Sequence, residues 1–148
     1  MDKKSSPGIS FQKLQLLECA AGGVDRAAEL KFGVGITTLT RTISADGGSL
    51  QVEVGFDLMQ GVETPPCRFT CTYSATYTRP PEANMTWDEF KDHLAVAHIL
   101  PFLREFICNV TMRMPLTALM IPPINSNRLV EDYRKRLPSS DPQPALSA

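Results

Sequence analysis

Residues 50–58 read LQVEVGFDL and residues 68–78 read RFTCTYSATYT. In the first stretch Leu50, Val52, Val54, Phe56 and Leu58 alternate with Gln51, Glu53, Gly55 and Asp57. In the second, Phe69, Cys71, Tyr73, Ala75 and Tyr77 alternate with Arg68 and a series of Thr and Ser. Successive side chains of a strand point to opposite faces, so a period of two places each apolar set on one side. Such alternation belongs to antiparallel strands with one covered face and one wet face. Asp46, Gly47 and Gly48 supply a turn before the first strand. Pro65 and Pro66 precede the second and Pro80 and Pro81 end it, since proline has no N–H to give to a ladder.

Toward the N-terminus, Leu30, Phe32, Val34 and Ile36 alternate with Lys31, Gly33 and Gly35, and the run continues through Leu39, Arg41 and Ile43. Glycines inside a strand mark a bend or the close approach of another backbone. A short opening strand over Ile9–Glu18 is expected, followed by a loop at Ala21, Gly22 and Gly23. Strict alternation puts Leu14 and Leu16 on one face and Phe11, Lys13, Gln15 and Leu17 on the other.

The last third changes period. Thr86 with Glu89 three residues on has capping-box spacing, and Trp87, Phe90, Leu94 and Ala97 recur at helical intervals. Pro101 interrupts this segment, while Leu103, Ile107 and Val110 resume it, which predicts a kink or a fresh helix. Ile121–Asn125 should be extended because the residue before a proline avoids the helical region. Asn125 or Ser126 then caps a final helix with Leu129, Tyr133 and Leu137 as its stripe. The polar start, residues 1–8, and the proline-rich end, 138–148, read as disordered tails around one domain over 9–137.

A net charge of −1 with interleaved signs gives neither a nucleic-acid stripe nor a polybasic membrane anchor. Hydropathy shows no apolar run of about 18 residues, and the basic start lacks an apolar segment behind it, so a cytoplasmic, soluble protein without direct membrane insertion is expected. Cys67 and Cys71 would stand about 13 Å apart on a strand, too far for a disulfide. With Cys19 and Cys108 they read as reduced, mostly buried thiols. His93 and His98 lie about 140° apart around a helix and do not converge on a ligand. Gly33 and Gly35 form a lone GxG, and no serine sits in GxSxG. No catalytic residue, metal site or cofactor is expected, and the chain does not read as an enzyme.

Residues 99–125, ILPFLREFICNVTMRMPLTALMIPPIN, resemble the signature region of the SecB family of export chaperones. The likeness lies in Pro101–Phe102, the Arg104–Glu105 pair, Ile107, Arg113, and the ending Pro122, Pro123, Ile124, Asn125. It is specific in this last third and topological over the strands before it. It implies an α+β fold: an antiparallel four-stranded sheet, a long kinked helix packed on one face, and a second C-terminal helix. It also implies a dimer of dimers whose clients, non-native chains, lie in apolar grooves between sheet and helix. In the family an acidic sheet surface and a C-terminal tail dock the translocase motor, SecA. This sequence departs from that pattern, with a pI near 6.1 and Asp141 as the one charge after Leu137. Charge-based docking to the motor would be weaker accordingly.

The expected function is therefore that of a holdase keeping unfolded or precursor polypeptides unfolded, in general export or, as the alternative, for one dedicated partner such as an antitoxin of a toxin–antitoxin system. Methionines suit promiscuous surfaces because they are flexible and polarizable, and Met59, Met112, Met114 and Met120 are available. The expected client contacts are Leu14, Leu16, Phe56, Leu58, Tyr73, Tyr77, Trp87, Met112, Met114, Leu116 and Met120. A four-stranded sheet with one covering helix leaves an edge that association should cover, and the resemblance implies that the assembly is a homotetramer. Phe11, Lys13, Gln15 and Leu17 would pair across a two-fold axis, and Phe102, Phe106 and Asn109 would pack dimer on dimer.

Overall fold

The computed structural model describes residues 8–23, 32–63, 65, 67–83, 85–114 and 120–137. Leu30, Leu116, residues 1–7 of the tail expected over 1–8, and the tail expected over 138–148 lie outside them. Four strands and two helices follow in chain order: β1 Ser10–Gly22, β2 Gly35–Ile43, β3 Ser49–Asp57, β4 Arg68–Thr78, α1 Asp92–Met112 and α2 Ser126–Arg136. The sheet order is β1-β4-β3-β2 with every neighbouring pair antiparallel. This is the α+β arrangement anticipated from the alternating strands and the helical last third.

The two central strands behave as their period predicts. Leu50, Val52, Val54 and Phe56 of β3 and Phe69, Cys71, Tyr73, Ala75 and Tyr77 of β4 are all buried on one face. They pack under Ala95, Val96, Ile99, Leu100, Leu103 and Ile107 of α1, and Leu129 and Val130 of α2 join the same core. The opposite face carries Thr40, Thr42, Gln51, Glu53, Thr70, Thr72 and Thr76. The turn into β3 is fastened by Asp46, whose Oδ1 accepts from the Ser44 hydroxyl at 2.7 Å and the Gly48 amide at 2.9 Å. Those two bonds hold its carboxyl below the usual carboxylate range, the serine bond contributing most.

Several details differ from the sequence reading. The opening strand is longer than expected and takes in Ala21 and Gly22. It also carries two register shifts, between Phe11 and Lys13 and between Leu16 and Glu18. A bulge inserts one residue and so moves everything beyond it to the other face. Phe11, opposite Tyr77, thus joins Leu14 and Leu16 on the helix side, while Lys13 and Gln15 oppose Thr76 and Ser74 on the far side. The expected common face of Phe11, Lys13, Gln15 and Leu17 does not exist, and Leu17 is skipped by the register.

Next, Phe32 and Val34 precede β2 instead of lying in it, and Gly33 makes an isolated parallel bridge to Met59. Here the predicted close approach is present. A Cβ on Gly33 would clash with the Gln60 carbonyl oxygen. The backbone cannot retreat, because the Gly33 amide donates to Leu58 at 3.0 Å and its carbonyl accepts from Gln60 at 2.9 Å. Gly33→Ala should therefore lower the unfolding free energy by about 2 kcal/mol in urea titration, an overpacking cost. Gly35→Ala meets only the flexible Gln60 side chain and should cost clearly less. Equal costs would refute the backbone explanation.

The Thr86–Glu89 box does form, with the Thr86 amide 2.7 Å from Glu89 Oε1 and the Glu89 amide 3.3 Å from Thr86 Oγ1. It closes a turn, however, and α1 begins only after Lys91. Pro101 sits inside α1 without ending it. By length and composition α1 could cross a membrane, because core residues and exposed apolar residues both lie along it. Its buried stripe nonetheless covers the sheet. Asn125 caps α2 by accepting from the Arg128 amide at 3.1 Å, and Leu137 falls just past the helix and is exposed.

Candidate functional site

α1 lies over β3 and β4, and α2 lies against α1 and β2. Both helices therefore leave edge strand β1 uncovered. All 13 residues of β1 are exposed or half-buried, and the exposure includes the side that faces the helix layer. The ladder fixes which residues those are: Phe11, Leu14, Leu16, Cys19 and Ala21 stand opposite the buried Tyr77, Ala75, Tyr73, Cys71 and Phe69. Phe11 is 41% exposed and Leu16 40%, although both continue the apolar face of the core.

The flank of α1 forms the wall of this strip. His98 accepts or donates a 2.8 Å hydrogen bond at Nδ1 with the Tyr77 hydroxyl, and its ring lies 5.4 Å from that of Phe11. Phe106, eight residues on, meets Phe69 edge-on at 6.4 Å. Phe102 falls between them at i+4 on the same flank and is 48% exposed. The result is a shallow apolar trough with Phe11, Leu14, Leu16 and Cys19 as its floor and His98, Phe102 and Phe106 as its wall. Burial pushes the hydroxyl of Tyr73, beside this floor on β4, well above the usual range, with the charges of Cys71, Cys19 and Glu105 adding to it. Tyr73 is thus neutral at any physiological pH, and the trough offers apolar contact without an ionised base.

A second opening of about 400 Å³ lies on the exposed side of α1, lined by Pro101, Arg104, Glu105, Cys108, Asn109, Met120 and Ile121. Met120 is 72% exposed, and its sulfur lies 3.2 Å from Cys108 Sγ. Met112 at the end of α1 is also exposed, and Met114 is half-buried.

Of the expected client contacts, Leu14, Leu16, Met112 and Met120 lie at or near the surface, and Leu14 and Leu16 share the trough. Phe56, Leu58, Tyr73, Tyr77 and Trp87 do not: all five are buried in the core. Tyr77 packs against Phe90 at 4.6 Å, and Trp87 donates its indole N–H to the Gly47 carbonyl at 2.8 Å with Arg79 over its ring. Side chains used in this way cannot also meet a client unless the fold opens. Of the expected interface residues, Phe11 and Phe102 belong to the trough, Phe106 is half-buried against Phe69, and Asn109 is exposed. No sequence pattern marks His98 or Cys19 for this surface. Their placement depends on the bulges and on how the helix is set over the sheet. Among the described residues no group of three or more His, Cys, Asp or Glu side chains is arranged to hold a metal ion.

A sheet of order β1-β4-β3-β2 with one long and one short helix on a single face defines the SecB-like fold. The chain shares it with the SecB-like chaperone Rv1957 of Mycobacterium tuberculosis, solved in complex with a ChAD peptide from the HigA1 antitoxin Rv1956. The two superpose with a TM-score of 0.64 over 79% of this chain and 91% of that one, at 17% sequence identity. No family model matches the sequence, and no curated protein matches it by sequence.

Proposed function

We propose that this chain is a molecular chaperone of the holdase type, which binds non-native polypeptides and keeps them unfolded, and that it works as a homotetramer. The observation that carries this reading is the uncovered apolar strip on β1 beside the flank of α1. A folded chain that leaves Phe11, Leu16 and Phe102 about half exposed on adjoining elements has apolar surface in need of a partner. An unfolded segment supplies one, since its apolar side chains are not yet buried elsewhere. The trough has no charged floor and makes no demand on sequence, which suits many clients. The free edge of β1, with Lys13 and Gln15 on the far face, is left for a second copy across a two-fold axis. Asn109, exposed on α1 outside the trough, then serves dimer-on-dimer packing.

A second reading gives the chaperone one dedicated client, an antitoxin. It is favoured by the antitoxin peptide bound to the similar protein from M. tuberculosis. The net charge of −1 points the same way, because it offers little complementarity for docking the SecA motor of general export.

Aggregation of a chemically denatured test protein, followed by turbidity, tests the holdase reading. Suppression at about one tetramer per client is expected, and none at several-fold excess would sink it. Light scattering of the same sample should give a mass near four times 16.3 kDa, and a mass near 16.3 kDa would remove the tetramer. A pull-down returning an antitoxin alone, as opposed to a broad set of precursors, separates the two client classes.

A further inference from the structure

We propose that Cys19 and Cys71 form a reversible thiol–disulfide pair, a redox modification site that fastens edge strand β1 to β4. The two residues are direct partners in the antiparallel ladder. Partners of this kind have Cα atoms about 4.5 to 5.5 Å apart and side chains on one face, within the span of roughly 4.4 to 6.8 Å that a disulfide bridges. Both cysteines are free, Cys19 on the exposed edge strand and Cys71 buried in β4. The proximity has an electrostatic trace. Burial, and then the charge of Cys19, push the Cys71 thiol up to about 12.

This asymmetry sets the order of events with a small disulfide such as oxidised glutathione. Cys19, which solvent reaches, loses its proton and attacks one sulfur of the small disulfide. That S–S bond breaks, and one glutathione leaves as thiolate. Cys71 then loses its proton and attacks Sγ of Cys19. The Cys19–Cys71 bond forms as the second glutathione leaves. The two cysteines give up two electrons and two protons, and glutathione disulfide takes up both as two thiols. Once Cys19 is capped it carries no charge, so the part of the Cys71 shift that came from Cys19 is gone when Cys71 must react. Burial also raises the Cys19 thiol, so the reaction quickens with rising pH through the thiolate range.

The effect is on β1. That strand is held by one ladder alone and carries two register shifts, and the bond lies beyond the second of them. It closes a loop of about 50 residues and prevents β1 from leaving β4 without global unfolding.

Peptide mapping of the full-length protein after incubation with oxidised glutathione at pH 8 tests the pairing. Trypsin separates the four thiols, leaving Cys19 in residues 14–26, Cys67 in 42–68, Cys71 in 69–91 and Cys108 in 105–113. The expected product joins 14–26 to 69–91 within one chain and is reversed by dithiothreitol. In it β1 amides should exchange about tenfold more slowly than in the reduced protein. The exposed-site variant Cys19→Ser should leave Cys71 unmodified. A lasting glutathione adduct on Cys19 with Cys71 free would overturn the proposal. So would linkage of Cys19 to Cys67, to Cys108 or to Cys19 of a second chain.

Discussion

Asp92→Ala should lower the unfolding free energy by about 3 kcal/mol, the largest loss expected from any change of a charged residue in this chain. Asp92 opens α1, and its two oxygens serve two arginines. Oδ1 lies 2.7 Å from Arg41 of β2, and Oδ2 lies 2.7 Å from Arg134 of α2. Arg41 also donates to the carbonyls of Phe90, at 2.7 Å, and Trp87. One carboxylate thus ties β2, the start of α1 and α2 together, near a helix N-terminus where negative charge is favoured. The Asp92 side chain is 11% exposed and that of Arg41 26%. Removing the carboxylate leaves a largely desolvated guanidinium with carbonyls for partners and no counter-charge. Arg134→Ala is the control. That side chain is 58% exposed, and its pair should contribute less than about 1 kcal/mol. Urea unfolding of both variants decides the matter, and equal losses would show that the network does not centre on Asp92.

Arg41 also shows how much of the fold could be read without coordinates. Its place in the series Leu39, Arg41, Ile43 puts it on the helix side of β2, opposite Val52, and a charge on a covered face calls for a partner. The series could not name Asp92, 51 residues away, because no local period couples a strand to the start of a distant helix. β3 and β4 were fully legible, since both lie in mid-sheet with one covered face and keep strict alternation. β1 was legible as a strand but not in its facing. A bulge leaves no mark on composition, yet each one reverses the facing of every residue beyond it. For the same reason the Cys19–Cys71 partnership is not legible in the sequence, where Cys71 stands nearest to Cys67 instead.

The candidate surface was half legible for a related reason. Period two tells which residues share a face; it does not tell where the covering helix stops. Tyr73 and Leu16 are opposite one another on one face, and both were expected as client contacts. α1 covers β4 and leaves β1, so Tyr73 is core and Leu16 is 40% exposed. The aromatic residues expected at the surface, Phe56, Tyr73, Tyr77 and Trp87, are large enough to fill the space under α1 and are used there. At Thr86–Glu89 a good cap sits six residues ahead of Asp92, where α1 begins, and the segment between is fastened instead by Arg41 to the Trp87 and Phe90 carbonyls.

Leu16→Asp should abolish most client holding while leaving the fold in place. Leu16 lies mid-strand in the trough floor, and β1 is retained by its backbone ladder with β4 more than by this half-open side chain. A client that covers it gains the burial of much of a leucine, on the order of 1 to 2 kcal/mol. Aspartate removes that gain and adds the cost of desolvating a carboxylate with no cation on the floor to meet it. Glu105, whose charge already reaches Tyr73 opposite Leu16, adds like-charge repulsion. Together these should weaken client binding about 30-fold or more. Gln15→Asp is the matched control, with the same charge one residue earlier on the opposite face, where Gln15 opposes Ser74. It should hold clients as the parent does. Turbidity assays on both variants, with circular dichroism to confirm the fold and light scattering to follow the mass, separate the outcomes. If Leu16→Asp holds clients as well as Gln15→Asp does, the trough is not the binding surface. If its mass falls together with its activity, the strip on β1 serves a second copy of the chain before it serves a client.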